Sequence, residues 1–356
     1  MKLLIITQTV NQHDSNLGFF CAWLKEFGRQ MESVDVICNS RGELDLSSNV
    51  RIFSMGKERG LGRLRRYINF KIYIWRLIFN AAAIFIHMIP AWVILVWPIA
   101  FLLRKKIYLW YTHGSVSWSL KIAEKMVAKI FTASENSCRL NSSKILVVGH
   151  GIDVELFSSK GGFAFGGNSE KEELPFGVKL LSVSRISRSK DLTTLILGVT
   201  ELVAHGYEDI TLDIIGAPIL DNDISYLKEL YDLVKKNNLE NKVFFLGAKK
   251  YDEMQKVYSE HNIFLHSSRT GSLDKVVLEA LSMGLQVITS SESYGEYSQA
   301  VIKFKEVDPI DLTEKIIGVI SQKEIQYNVL GVTLVKEKAS ISQVIKRVTS
   351  LIYKEL

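Results

Sequence analysis

Residues 266–290 read His-Ser-Ser-Arg-Thr-Gly-Ser-Leu-Asp-Lys-Val-Val-Leu-Glu-Ala-Leu-Ser-Met-Gly-Leu-Gln-Val-Ile-Thr-Ser. The apolar run Ile263–Leu265 leads into them as a strand end, and Ser267–Ser272 form a small polar turn around Gly271. Asp274 stands where a helix N-cap belongs, Val276–Leu281 supply an apolar helix face, Gly284 stops the helix and Val287 opens the next strand. A turn of small residues that feeds a helix N-terminus is an anion site, because free backbone N–H groups and the helix dipole point into it. Glu279 sits inside the apolar helix face. A carboxylate there is costly unless it has a partner, and a sugar diol is one such partner.

Outward from this stretch, short apolar runs alternate with longer helical ones, the pattern of parallel sheets with crossover helices. The expected strands of the first half are Lys2–Gln8, Val34–Cys38, Val50–Ser54, Ala83–Met88, Ile107–Thr112, Ile130–Ser134 and Ile145–Val148. The second half repeats the pattern at Lys179–Ser184, Thr211–Gly216, Val243–Gly247, Ile263–His266, Val287–Ser290 and Val301–Phe304. The Gly- and Ser-rich stretch Ser158–Glu173 reads as a linker. The expected division is a domain over 1–165, a second over 166–340, and a C-terminal helix over 341–356 placed to pack back on the first. With 356 residues the chain is long enough for two full cores.

Three further motifs join the first stretch in chain order. They are Tyr111-Thr112-His113-Gly114; His150-Gly151-Ile152-Asp153 followed by Phe157; and Val183-Ser184-Arg185-Ile186-Ser187-Arg188-Ser189-Lys190-Asp191-Leu192. Together the four resemble family 4 glycosyltransferases, retaining enzymes of the GT-B fold. The resemblance implies an α/β chain of GT-B architecture, two Rossmann-like domains with parallel sheets facing across a cleft that holds the active site at the strands' carboxyl ends. It also implies a nucleoside diphosphate sugar as co-substrate, no metal or other cofactor, and an acceptor hydroxyl.

By the same resemblance, Glu279 matches the glutamate that holds the donor's ribose hydroxyls. Arg185 and Lys190 match the pair that grips the diphosphate, and His113 matches an active-site histidine. The family's other donor-site glutamate falls on Gly271, and the Gly that usually follows the lysine is Asp191. Without that carboxylate, the backbone of Gly271, Ser272, Leu273, Asp274 and Lys275 is left to bind sugar and phosphate. Asp274 is either a displaced carboxylate or the N-cap, and Lys275 a phosphate contact. Gly18, before the helix Phe19–Gln30, stands where relatives carry a Gly-Gly turn near the phosphates. Gly247, Ala248 and Lys249 are expected to take the base.

Two further residue types read as structural. Asp221-Asn222-Asp223 matches an Asp-X-Asp metal motif in form, but at the start of Ile224–Lys235 it reads as a helix cap. The three cysteines, Cys21, Cys38 and Cys138, fit neither a metal site nor a disulfide framework, which points to a reducing cytoplasm.

Charge divides unevenly. Residues 1–165 carry 21 Lys and Arg against 11 Asp and Glu, and residues 166–356 carry 23 against 27, giving the chain its net +6. Between Lys57 and Arg76 seven basic residues, including Arg63, Arg65, Arg66, Lys71 and Arg76, stand against Glu58 alone, interleaved with apolar residues such as Trp75. Such a segment reads as a helix on an anionic membrane surface, or as an ordinary helix with a basic polar face. No nucleic-acid-binding motif accompanies it. Ala81–Leu103 lacks any Asp, Glu, Lys or Arg. His87, Pro90 and Pro98 argue for a buried strand and a buried helix, Ala91–Leu103, over a membrane span.

The expected protein is a cytoplasmic transferase, peripheral on the inner face of the membrane, with a lipid-linked or cell-envelope glycan as acceptor. A non-catalytic binding subunit and a sugar-nucleotide epimerase are the alternatives.

Overall fold

The computed structural model describes residues 1–158, 177–271, 273–322 and 324–356. They fall into two compact units. The first comprises Met1–Asp153, Lys250–Asp252 and Lys338–Leu356, the second Val154–Lys249 and Glu253–Glu337. Within the expected linker, residues 159–173 lie outside the described residues.

The first unit runs β1 (Lys2–Val10), α1 (Phe19–Gln30), β2 (Ser33–Arg41), β3 (Val50–Ser54), α2 (Arg63–Leu77), β4 (Ala83–His87), α3 (Pro90–Leu102), β5 (Lys106–Trp110), α4 (Trp118–Met126), β6 (Lys129–Thr132) and β7 (Ile145–Val147). Its strands pair in parallel in the order β3-β2-β1-β4-β5-β6-β7. All five residues of β4 are buried. Ile84 and Ile86 join one core with Phe70 and Ile74 of α2, Val93 and Val96 of α3, and Leu120 of α4. On the opposite face Phe85 meets Phe27 of α1 at 5.3 Å between ring centroids. Cover on both faces makes a uniformly apolar strand. The uncharged stretch 81–103 thus divides into β4 and α3, and no helix among the described residues is long and apolar enough to cross a membrane.

The second unit runs β8 (Val178–Val183), α5 (Leu192–Ala204), β9 (Ile210–Ile215), α6 (Asp221–Lys236), β10 (Val243–Gly247), α7 (Met254–Ser259), β11 (Ile263–His266), α8 (Lys275–Ser282), β12 (Gln286–Thr289), β13 (Ile302–Lys303), α9 (Pro309–Ile320) and α10 (Val329–Lys338), whose last residue belongs to the first unit. Its strands are parallel in the order β10-β9-β8-β11-β12-β13. The last helix, α11 (Ile341–Glu355), belongs to the first unit and buries Ile341, Val344, Ile345, Val348 and Ile352, a 3–4 spacing. The His150–Asp153 segment receives the start of α11. Ile152 N–H donates to Ala339 O at 2.7 Å, Ile341 N–H donates to Ile152 O at 2.9 Å, and Trp23 Nε1–H donates to Gly151 O at 3.1 Å.

The structure shifts several expected boundaries. β1 and β2 run past Gln8 and Cys38, to Val10 and Arg41, whereas β13 keeps only Ile302–Lys303 of the expected Val301–Phe304. Leu220, not Asp221, occupies the N-cap of α6, and Asp223 accepts from its backbone N–H at 3.1 Å.

Gly216 decides how closely two strand ends approach. Its φ is +147°, and a Cβ there would lie 1.8 Å from the Ser184 carbonyl oxygen, beside Arg185. Gly216→Ala should therefore cost about 3 kcal/mol or more. At roughly 2–4 °C per kcal/mol for a unit of this size, the melting midpoint should fall by about 6–12 °C. An unchanged midpoint by scanning calorimetry would show that the two strand ends separate freely.

Candidate functional site

In the second unit the strand order reverses between β8 and β11, so the loops leaving their carboxyl ends diverge around a switch point. The first loop carries Ser184–Ser187 and a 3₁₀ turn, Arg188–Lys190. Asp191 then adopts a left-handed conformation (φ +42°) to start α5. The second loop runs from Ser267 to Asp274 and starts α8. Side chains and backbone tie them together. Ser267 Oγ–H donates to Lys190 O at 2.7 Å and Asp191 O at 3.0 Å, Arg269 N–H donates to Ser189 O at 3.0 Å, and Arg269 pairs with Asp191 at 3.1 Å.

Between these loops lies a buried charge network. Lys190 is 7% exposed, and its ammonium is ion-paired to Asp274 and lies 3.3 Å from Ser268 Oγ. His266 Nε2 meets the same Asp274 oxygen at 2.8 Å, and its Nδ1 lies 2.9 Å from Thr289 Oγ1. Donation to a carboxylate puts the imidazole proton on Nε2 and leaves Nδ1 to accept from Thr289. Burial works against ionisation of Asp274, but the Lys190 cation and the His266 hydrogen bond outweigh it and hold the carboxyl well below the usual range. Burial likewise lowers the His266 pKa against the pull of Asp274, and pushes Tyr294, whose hydroxyl accepts from Asp274 N–H at 3.1 Å, well above 10. Asp274 is at the N-cap of α8, but its side chain makes no cap hydrogen bond. The tertiary cation wins over the local N–H groups, which corrects the capping role read from sequence.

Glu279 is 1% exposed and already has protein partners: Tyr258 OH donates to it at 2.9 Å and Lys275 Nζ lies 3.4 Å away. Lys275 thus spends charge on Glu279 one helical turn later, a role the sequence reading had not given it. Two partners do not exhaust a carboxylate's lone pairs. Gly271 has φ +63°, and its carbonyl accepts from Ser293 Oγ–H. Leu273 is buried, and Ser272 lies outside the described residues. Arg185 is exposed, as are Gly247 (φ +71°) and Ala248. Arg188 is exposed, pairs with Glu229 at 2.5 Å and lies over the Tyr226 ring.

In the first unit His113 is exposed just past β5. Ser115 N–H donates to its Nδ1 at 3.1 Å, an arrangement that puts the ring proton of a neutral imidazole on Nε2. Gly18 precedes α1, and a Cβ there would lie 2.5 Å from Asp14 O, so packing requires a glycine at this position. The Asp14 carboxylate accepts from Asn16 and Leu17 N–H at 2.9 and 2.8 Å. His87 stacks on Phe20 at 4.1 Å, and burial lowers its pKa to about 3, so the ring is neutral. Burial pushes the Cys38 thiol up to about 12 and Cys21 to about 11, which keeps both protonated at neutral pH. Arg63, Arg65, Lys71 and Trp75 are exposed on α2, whereas Arg66 is half-buried and donates to Asn39 Oδ1 at 2.7 Å. Among the described residues no group of three or more His, Cys, Asp or Glu is placed to hold a metal.

Residues 169–329 match the family described as Glycosyl transferases group 1. The second unit carries a group 1 glycosyltransferase domain. A glycosyltransferase of Methanocaldococcus jannaschii, itself uncharacterised, is 25% identical over 152 residues. That match spans 42% of this chain and only 36% of the relative's length. Two solved structures share the fold over essentially the whole chain. The Anabaena protein HepE, in complex with UDP, has a TM-score of 0.72 at 14% identity and covers 99% of this chain and 100% of its own. The lipopolysaccharide outer core galactosyltransferase WaaB, in its apo form, has a TM-score of 0.66 at 14% identity with 100% of both chains covered. The two parallel-sheet units are a GT-B fold.

Sequence reading placed Lys190, Asp274 and Glu279 but missed His266, Tyr258 and Tyr294. His266 could have been found as a histidine ending a strand beside Asp274; nothing local marks the two tyrosines. Removing one partner of a buried pair leaves the other charge uncompensated. Asp274→Asn should therefore destabilise the protein by about 3 kcal/mol at pH 7. Lys190→Met/Asp274→Asn should recover part of that loss. Because the folded-state pKa of Asp274 is depressed, the penalty should be full above about pH 4 and shrink as pH falls below it. Equal denaturation midpoints for parent and Asp274→Asn at pH 7 would contradict the pairing.

Proposed function

We propose that the protein is a retaining glycosyltransferase that moves a sugar, a hexose or a close relative, from a nucleoside diphosphate donor to an acceptor hydroxyl. The observation that carries this is the coincidence of the family match with the β8/β11 switch point, whose two loops carry Arg185 and Lys190 on one side and lead into α8 with Glu279 on the other. In this reading Glu279 takes the ribose hydroxyls, and the backbone around Gly247 and Ala248 takes the base. The N-terminus of α8, with Gly271 to Asp274, takes phosphate and sugar. Arg185 supplies a planar fork and Lys190 a fixed cation to the diphosphate. Both would stabilise the negative charge that grows on the leaving group as the glycosidic bond breaks. The acceptor hydroxyl then adds on the face the diphosphate leaves, with the departing phosphate oxygen receiving its proton.

The cations do the work that a metal would do elsewhere, so the reading calls for none. His113 is assigned to the reacting sugar, and Gly18 to the phosphates. The basic first half fits a lipid-linked or cell-envelope glycan acceptor at the cytoplasmic face of a membrane. UDP is the first nucleotide to test, because HepE was solved with it.

Titration calorimetry with UDP tests the assignment. Loss of a charge-assisted hydrogen bond costs about 1.5–3 kcal/mol, so Arg185→Ala and Glu279→Gln should each weaken UDP binding about 10- to 100-fold, with the melting midpoint of the exposed Arg185→Ala near the parent's and both variants folded at the assay temperature. Parent-like affinity in both variants, with UDP bound by the parent, would remove this site from donor binding.

A further inference from the structure

Between Arg59 and Ala123 the chain carries ten Lys and Arg and not one Asp or Glu. This stretch contains α2 and α3, which cover one face of the first sheet. Each helix is apolar on its buried side, as it must be. Phe70, Ile74 and Leu77 of α2 are buried against the core. Yet α2 has a second apolar stripe. Leu64, Ile68, Ile72 and Trp75, with Phe79 just beyond the helix, are 47–73% exposed. At 3.6 residues per turn the four helical members fall within about 80° of one another, on the side away from the core. Arg65 and Arg76 flank this stripe on one edge and Lys71 on the other, by the same geometry.

The end of α3 continues the surface. Phe101 and Leu102 are 68% and 78% exposed. Lys105 Nζ–H bonds to Phe79 O at 3.4 Å and Ala81 O at 2.6 Å, which holds the end of α2 beside the end of α3. Lys71 Nζ–H donates to Leu95 O at 3.3 Å from the other helix. Between the two lies an open groove of about 470 Å³ lined by Lys71, Ile72, Ile74, Trp75, Arg76 and Ile99. Its walls are apolar and its rim is cationic.

A solvated polar face does not need an apolar ridge, and an ordinary protein partner does not need ten cations without one carboxylate. We propose that this ridge is inserted into the headgroup and acyl boundary of an anionic phospholipid membrane. Trp75, Phe79, Phe101 and Leu102 enter the boundary, Arg65, Arg76 and Lys71 reach up to lipid phosphates, and the groove takes the upper part of an acyl chain. Long basic side chains lie along apolar surface with their charges in the polar layer, and aromatic rings suit the same depth. Attraction to the anionic surface brings the face in, and burial of the stripe retains it. The inference stands on this surface alone and not on the donor site.

Vesicle co-sedimentation tests it with phosphatidylcholine vesicles in which about one lipid in three is phosphatidylglycerol. The parent should bind these and not pure phosphatidylcholine. Ile68→Ser/Trp75→Ser, which leaves every charge in place, and Arg65→Ser/Arg76→Ser should each bind at least tenfold more weakly. Raising the salt should weaken the parent only in part, because the apolar contribution is unscreened, and should release Ile68→Ser/Trp75→Ser entirely. All substituted residues are exposed, and melting midpoints check the fold. Failure of the parent to bind, or parent-like binding by Ile68→Ser/Trp75→Ser, would overturn the proposal. So would a concentration-dependent dimer in sedimentation equilibrium that Ile68→Ser/Trp75→Ser abolishes, since the ridge would then belong to a second copy of the chain.

Discussion

A parallel strand must be covered on both faces, and each return to the same edge needs a crossover. That constraint organises both units. It buries β4 at every position, sends helices to both faces of the first sheet, and brings every strand's carboxyl end to one edge of its sheet. Where the strand order reverses, at β8 and β11, two loops part and leave room for a ligand. The protein fills the base of that room with Lys190, Asp274 and His266 rather than with apolar residues. Buried charge of this kind is maintained only because each member satisfies another.

The network also sets the chemistry of the room. Asp274 neutralises Lys190 from below, while the exposed Arg185 remains without an ion-pair partner among the described residues. Position 271 is a left-handed glycine whose carbonyl is held by Ser293, with Asp274 three residues on. Glu279, anchored by Tyr258 and Lys275, is held still before any ligand arrives.

The periodic features were legible in the sequence. Apolar runs such as Ala83–Ile86 and Ile263–Leu265 stand out because a doubly covered strand has little choice of residue. Glu279 was conspicuous because it interrupts an apolar helix face. What could not be read were partnerships across the chain. Lys190 and Asp274 are 84 residues apart, and the N-cap rule for Asp274 was local and lost to that cation. Tyr258 reaches Glu279 from a different helix. The basic charge between Lys57 and Arg76 was plain, but the second apolar stripe of α2 became separable from the core stripe only once Phe70, Ile74 and Leu77 were seen to be buried.

The central claim, sugar transfer from a nucleoside diphosphate donor, is tested most directly by proton NMR of a set of sugar nucleotides incubated with the protein. The account predicts that at least one donor is consumed, that free nucleoside diphosphate appears, and that the sugar first emerges, on water or on an added glycan acceptor, in the donor's own anomeric configuration. Donors left intact by a protein that binds UDP, or conversion to the epimeric sugar, would contradict it.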